Sequence, residues 1–207
     1  MTDPRLTIVV GIVLAYLVGS LSFAVIVSRL FGLDDPRTYG SGNPGATNVL
    51  RSGNKGAAVL TLLFDALKGY VPVILAYQLG LDDSDVTAIG LAAFLGHLWP
   101  VFFRFEGGKG VATAAGVLLA FHPALGGLVL AVWLLMAVVF RYSSLAALTA
   151  ALAAPVIHAY GWGFSTMTIG VAVMSALLIW RHAPNIRKLL AGQESKLGQK
   201  AAPTNPQ

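Results

Sequence analysis

The stretch Tyr39-Gly40-Ser41-Gly42-Asn43-Pro44-Gly45-Ala46-Thr47-Asn48 sets three glycines among five hydrogen-bonding side chains, and Arg51 follows one turn later. Glycine reaches left-handed dihedrals that aim successive backbone N–H groups into a concavity, and a guanidinium offers forked donors matched to phosphate oxygens. The stretch reads as an anion cradle or as an ordinary Gly-Asn-Pro turn, since the same residues dominate turns. A second stretch, Phe105-Glu106-Gly107-Gly108-Lys109-Gly110, stands directly before an apolar segment. At a helix start its amides and the positive helix end suit phosphate, with Lys109 as counter-charge. It is not a Walker loop, because Gly110 stands where Ser or Thr is needed and Phe103 where glycine is needed.

Further chemistry-bearing residues follow in Arg141-Tyr142-Ser143-Ser144 and in Arg181-His182-Ala183-Pro184-Asn185, with Gly192 and Glu194 beyond. His182 can trade a proton near neutrality or hydrogen-bond a phosphate, and Asn185 can donate to a carbonyl or phosphate oxygen. His97 is either structural or a ligand, while His122 and His158 read as structural. No Asp occurs after Asp85 and every His comes later, so no His-x4-Asp acyltransferase pair and no His-Glu-x-x-His metal motif can be read. Cysteine is absent, which excludes thiolate nucleophiles and cysteine-ligated metals. A cationic, metal-free site for a phosphate-bearing substrate remains.

The elements that must position these groups are membrane helices. The 207 residues are 56% hydrophobic and only 11% charged, and soluble domains run near a quarter charged. At about 20 apolar residues per span there is room for roughly seven spans. The sequence predicts an all-α integral membrane protein with spans at Leu6–Ser28, Gly56–Leu81, Val86–Phe103, Val111–Phe121, Ala124–Phe140, Leu145–Trp162 and Thr166–Trp180. Asp65 and Lys68, three apart within the second, are expected to neutralise each other. Twelve Lys and Arg fall on one side and Arg5 alone on the other, which predicts a cytoplasmic C-terminus and an N-terminus outside. Six spans would export the five-charge tail, and five would export only Arg141 to Ser144. The net charge of +5 thus reports orientation, with no nucleic acid implied. Residues 1–198 read as one domain and 199–207 as a polar, disordered cytoplasmic tail.

The motifs Gly40 to Asn48 with Arg51, Gly96-His97 to Pro100, Phe105, Gly107 to Thr113, His182, Asn185-Ile186 and Glu194 together resemble the bacterial acyl-phosphate:glycerol-3-phosphate acyltransferases, the PlsY family. The resemblance runs from the first span to about Gly198, in the same order. It implies a seven-helix enzyme of the bacterial inner membrane, its site facing the cytoplasm, that moves a fatty acyl group from a long-chain acyl phosphate to glycerol 3-phosphate. The product would be lysophosphatidic acid, the first acylation step of phospholipid biosynthesis. It implies no metal, no coenzyme and no obligate protein partner, only substrates and membrane lipid. It makes His182, Asn185 and Ser41 catalytic. Arg51, Lys109, Gly107, Gly108, Asn43, Asn48, Ser144, His97 and Glu194 become substrate-binding. The family's Asn-Ile-x-Arg-Leu departs here, with Lys188 in place of Arg. An acyl phosphate carries a stable leaving group, so direct transfer needs no covalent intermediate, and the hydroxyl proton could go to His182 or to the substrate's own phosphate. The rival reading is a membrane carrier for an organic phosphate anion; transporters favour internal repeats and mid-membrane sites, and no repeat is visible.

Overall fold

The computed structural model describes residues 4–198, so the expected 199–207 tail lies outside the described residues. Among the described residues the chain is helical throughout: α1 (Pro4–Gly19), α2 (Phe23–Leu30), α3 (Ala46–Leu50), α4 (Lys55–Gln78), α5 (Asp83–Leu98), α6 (Val111–Phe121), α7 (Pro123–Phe140), α8 (Ser143–Trp162), α9 (Thr166–Arg181) and α10 (Ala183–Leu190), with a short 3-10 turn at Val101–Phe103. Four segments are long and apolar enough to cross a membrane: α4, α5 with its 3-10 turn, α7 and α8. Counting α1 with α2 and α9 with α10 as bent spans brings the number to six. The expected fourth span, α6, has 11 residues. At about 1.5 Å per residue it is roughly half the length of a bilayer's hydrocarbon core.

The first span departs from the uninterrupted helix expected over Leu6–Ser28. α1 and α2 meet at 44°, with the break at residues 20–22. A break in an apolar layer exposes carbonyls that need donors. Ser20 Oγ donates to the Tyr16 carbonyl at 2.8 Å, and Lys68 Nζ, arriving from α4, donates to the Leu21 carbonyl at 2.7 Å. Lys68 also pairs with Asp65 at 2.7 Å, both buried, as the sequence led one to expect. The expected polar tail departs too: beyond Arg181, the last residue of α9, Ala183–Leu190 forms the helix α10, bent 58° from α9. Pro184 fits the first turn of α10, where a missing N–H costs nothing.

Lipid and protein are equally apolar, so membrane helices gain most from close packing through small residues. α4 packs along α6, α1 along α5 and α7 along α8. At the first crossing a β-carbon on Gly69 would strike the Thr113 carbonyl, and one on Gly116 the Ala66 carbonyl. α1 and α5 meet in the same way, with Gly19 against the Ala93 backbone and Gly96 against that of Tyr16. These contacts centre the molecule on α5, whose Ala93, Phe94 and Leu98 are fully buried. α5 is thereby fixed as the post that carries the glycine-rich loop on its C-terminal end.

At the opposite end, His122 stacks on Trp162 at 4.6 Å, and His158 Nδ1 lies 2.8 Å from Thr168 Oγ1. Both histidines join helix ends, in keeping with a structural reading.

Candidate active site

The glycine loop hangs from the last turn of α5. Arg104 and Phe105 adopt φ of 54° and 60°, an uncommon conformation for residues with side chains, and reverse the chain after the 3-10 turn. Gly107 then lies flat on the backbone of α5, where a β-carbon would collide with the carbonyl oxygens of His97 and Leu98. Gly108 N–H donates to the His97 carbonyl at 3.2 Å, which supplies a donor to an otherwise unpaired helix-end carbonyl. From the far side Arg181 donates through Nη2 to the Gly107 carbonyl at 2.6 Å and through Nε to the Gly108 carbonyl at 3.1 Å. The Gly108 amide, expected to face an anion, is here engaged by the fold. Gly110, with φ of 83°, caps α6, and Lys109 extends its ammonium to Asn185 Oδ1 at 2.5 Å.

Asn48 is the latch of the first loop. Its Nδ2 donates to the Pro36 carbonyl at 2.6 Å and the Tyr39 carbonyl at 3.1 Å, while Oδ1 accepts from Ser41 N–H at 3.0 Å and Arg51 Nη1 at 3.3 Å. With its amide engaged by the loop and only 1% exposed, Asn48, expected as a substrate contact, shapes the loop from within. It presents Ser41, Gly42 and Asn43 at the rim.

The chain after α10 folds back over the same face. Glu194 Oε1 accepts from Ser144 Oγ and from Asn185 Nδ2, both at 2.7 Å. Ser195 Oγ accepts from Arg51 Nη2 at 2.5 Å, and Leu197 N–H reaches the Arg141 carbonyl at 2.7 Å. These contacts bring Arg51, Lys109, Ser144, Asn185 and Glu194 together from four separate stretches.

A cleft of about 260 Å³ opens between these loops, lined by Ser41, Gly42, Asn43, Gly107, Lys109, Arg181, Pro184, Asn185 and Lys188. Its wall carries three cations and no carboxylate, and Lys188 supplies charge at the position that departs from the family's pattern. Burial of the Lys109 ammonium, with Arg51, Lys188 and Arg181 nearby, lowers its pKa to about 8, even though Glu194 opposes the shift. His182, at the bend beyond α9, is 2% exposed, and Nδ1 faces the Leu178 carbonyl at 2.8 Å. That contact assigns the proton to Nδ1 and leaves Nε2 as the acceptor. Burial, with the charges of Lys109 and Arg181, lowers its pKa to about 4 against the Leu178 hydrogen bond and Glu194. The imidazole is neutral at physiological pH.

Not every expected residue reaches the cleft. Arg51, Gly108, Asn48, Ser144, Glu194 and His182 stand outside its lining. His97, expected in a substrate-binding role, also stands outside the lining. It lies under the loop in a buried group, with Nδ1 at 3.2 Å from Thr113 Oγ1 and 3.7 Å from Asp65 Oδ1, and its ring fills the space a Gly108 β-carbon would need. Sequence reasoning missed Arg181 and Ser195 as members of this cluster. Arg181 had a signal, as a cation next to His182, whereas Ser195 had none. Among the described residues no group of three or more His, Cys, Asp or Glu could hold a metal.

This arrangement has relatives. The glycerol-3-phosphate acyltransferase from Burkholderia lata is 61% identical over 93% of this chain and 92% of its own length. That from Paraburkholderia phytofirmans is 60% identical over 91% of this chain and 90% of its own. A crystal structure of PlsY (YgiH), an integral membrane glycerol 3-phosphate acyltransferase in its glycerol 3-phosphate form, superposes with a TM-score of 0.88 at 41% identity, over 93% of this chain and 96% of that one. Its lysophosphatidic acid form superposes at 0.86. The family model described as Glycerol-3-phosphate acyltransferase matches residues 9–192, nearly the whole of the helical array and both glycine-bearing loops. With helices, loops and cationic cleft all inside that match, the chain belongs to the glycerol-3-phosphate acyltransferase family.

Proposed function

We propose that the chain transfers a fatty acyl group from acyl phosphate to glycerol 3-phosphate, giving 1-acyl-glycerol 3-phosphate and phosphate. The observation that carries this reading is the cleft in which Lys109, Arg181, Lys188, Ser41 and Asn185 converge beside a neutral, buried His182. Its cationic, polar lining suits the phosphate and hydroxyls of glycerol 3-phosphate, and the acyl chain stays among the helices or in lipid. Lys109 and Asn185 grip the phosphate, with Ser41 and Asn43 at the rim; Arg51 and Ser144 anchor the tail residues that close this face.

In the reaction the substrate hydroxyl oxygen attacks the acyl carbonyl carbon, the carbonyl–phosphate C–O bond breaks, and its electron pair leaves with inorganic phosphate. Lys109 offsets the charge that builds on the attacked and leaving oxygens, in a wall that Arg181 and Lys188 keep cationic. The proton goes to the phosphate of glycerol 3-phosphate itself. A phosphate monoester has a second pKa of about 6, so it is a stronger base than an imidazole held at about 4. His182 Nε2 accepts from the hydroxyl and orients it. Acyl phosphate is the donor because its leaving group is already a stable anion. A thioester would need stronger activation of the alcohol, a task for a His-carboxylate pair that the sequence lacks.

The test is purified protein in detergent with radiolabelled glycerol 3-phosphate and either palmitoyl phosphate or palmitoyl-CoA, scored for lipid product. Transfer from acyl phosphate alone is expected, and robust transfer from acyl-CoA alone would retire the donor assignment. The same assay has a pH signature. Lys109 must be protonated to hold phosphate, so kcat/KM for glycerol 3-phosphate should climb as the substrate's second ionisation completes near about 6. It should then fall above about 8 as free Lys109 loses its proton. A profile flat through pH 9 would remove Lys109 from substrate binding.

We also read seven crossings, with α6 as a short fourth, the N-terminus outside the bacterial inner membrane and the cleft at the cytoplasm. The balance of Lys and Arg supports this orientation. In this cysteine-free chain, cysteines at Ser52 and Ser143 should be shielded from an impermeant thiol reagent in intact cells, whereas one at Ser84 should label. Labelling at Ser143 would favour five crossings.

A further inference from the structure

We infer that Arg181 is a positioning residue: its guanidinium sets the orientation of the glycine loop and so fixes where Lys109 presents its charge. The inference rests on reading the cleft as the glycerol 3-phosphate site. One planar group donates to two successive carbonyls, Nη2 to Gly107 at 2.6 Å and Nε to Gly108 at 3.1 Å, across more than 70 residues of sequence. A trans peptide points its N–H opposite to its C=O. Holding the Gly108 carbonyl on Arg181 therefore turns the Lys109 N–H away from the guanidinium and sets the direction in which the Lys109 side chain departs. The other edge is pinned by Gly108 N–H on the His97 carbonyl at 3.2 Å, so the Gly107–Gly108 peptide is held from both sides.

Glycine makes this clamp necessary. Two adjacent residues without β-carbons have more backbone freedom than any other pair, and an unclamped loop would lose the preorganisation that a charge-stabilising site requires. The clamp also has the right address. Arg181 directly precedes His182 at the bend that carries Asn185 four residues on, so it ties the loop bearing Lys109 to the turn bearing the other polar groups. The 2.5 Å contact between Lys109 and Asn185 depends on that register. A fork of donors is essential, since an ammonium is a single point charge that cannot match two carbonyls in one plane.

The experiment compares Arg181→Lys, Arg181→Ala, Gly108→Ala and the Arg181→Ala/Gly108→Ala double variant, as full-length protein in detergent, with kcat and KM for glycerol 3-phosphate and thermal unfolding of each. Arg181→Lys keeps the cleft's charge and loses the fork. It is expected to raise KM about tenfold or more, nearer to Arg181→Ala than to wild type. The double variant should be no worse than its worse single, because both substitutions act through one loop. Wild-type KM in Arg181→Lys would show that charge alone matters and overturn the clamp, as would fully additive losses in the double variant. If Arg181→Ala does not fold, Arg181→Lys and Arg181→Gln decide the matter on the same criterion. A wild-type protein with no saturable dependence on glycerol 3-phosphate would instead retire the reading beneath.

Discussion

Replacing Lys109 by alanine is expected to lower kcat/KM for glycerol 3-phosphate about a thousandfold, equivalent to about 4 kcal/mol at about 1.4 kcal/mol per decade. The ammonium lines the cleft and is buried enough to lower its pKa to about 8. A charge-assisted hydrogen bond is worth about 1.5–3 kcal/mol, and a phosphate left without its cation adds a desolvation cost. Arg181 and Lys188 remain in the wall, which keeps the loss finite. Arg51→Ala should cost less, about tenfold to a hundredfold, because Arg51 stands off the lining and spends its donors on Ser195 and Asn48. Steady-state kinetics over a range of glycerol 3-phosphate concentrations check both. Equal losses would mean that Arg51 reaches substrate, which requires the tail to open. A Lys109→Ala enzyme with near wild-type kcat/KM would sink the phosphate role of the loop.

What the sequence made legible here is what local chemistry decides. The all-helical, apolar character follows from composition, and the Asp65–Lys68 pairing follows from spacing along one helix. The glycine-bearing motifs beside Arg51 and Lys109 are contiguous in the chain, and the family model matches across both of them. The break at residues 20–22 was not legible, since its stability comes from Lys68, which reaches across from another helix. The partners of the Asn48 amide were not legible either, since an amide's type does not name them; the fold shows that loop carbonyls take its hydrogens. Arg181 and Ser195 were missed for the same reason, as their partners lie 73 or more residues away. The family was more legible than the architecture because its motifs are contiguous in the chain, whereas helix breaks and loop contacts are settled by tertiary contact.

Gly107→Ala is expected to be the most damaging single-atom addition in the loop, lowering kcat/KM for glycerol 3-phosphate about a hundredfold, more than Gly108→Ala. The two neighbours differ in what a β-carbon meets. At Gly108 it meets first the far end of the His97 side chain, and the Pro44 carbonyl at 2.9 Å. An imidazole can shift, at the cost of its contact with Thr113. At Gly107 it meets the carbonyls of His97 and Leu98 and the Leu98 carbonyl carbon at 2.6 Å, all backbone of the fully packed end of α5. The loop must lift away instead. Lifting breaks Gly108 N–H to His97 and the bond from Arg181 to the Gly107 carbonyl, so the Lys109 ammonium loses its aim even though its charge is intact. Two hydrogen bonds at about 1 kcal/mol each, with misplacement of a charged group, account for about two decades. Gly127→Ala is the control: it lies on the exposed side of α7, where a β-carbon meets nothing within 4 Å. Kinetics and thermal unfolding of the three variants should separate loop from scaffold. Gly107→Ala turnover equal to that of Gly127→Ala would mean the loop tolerates displacement, and the site's precision would then have to come from the Asn185 side of the cleft.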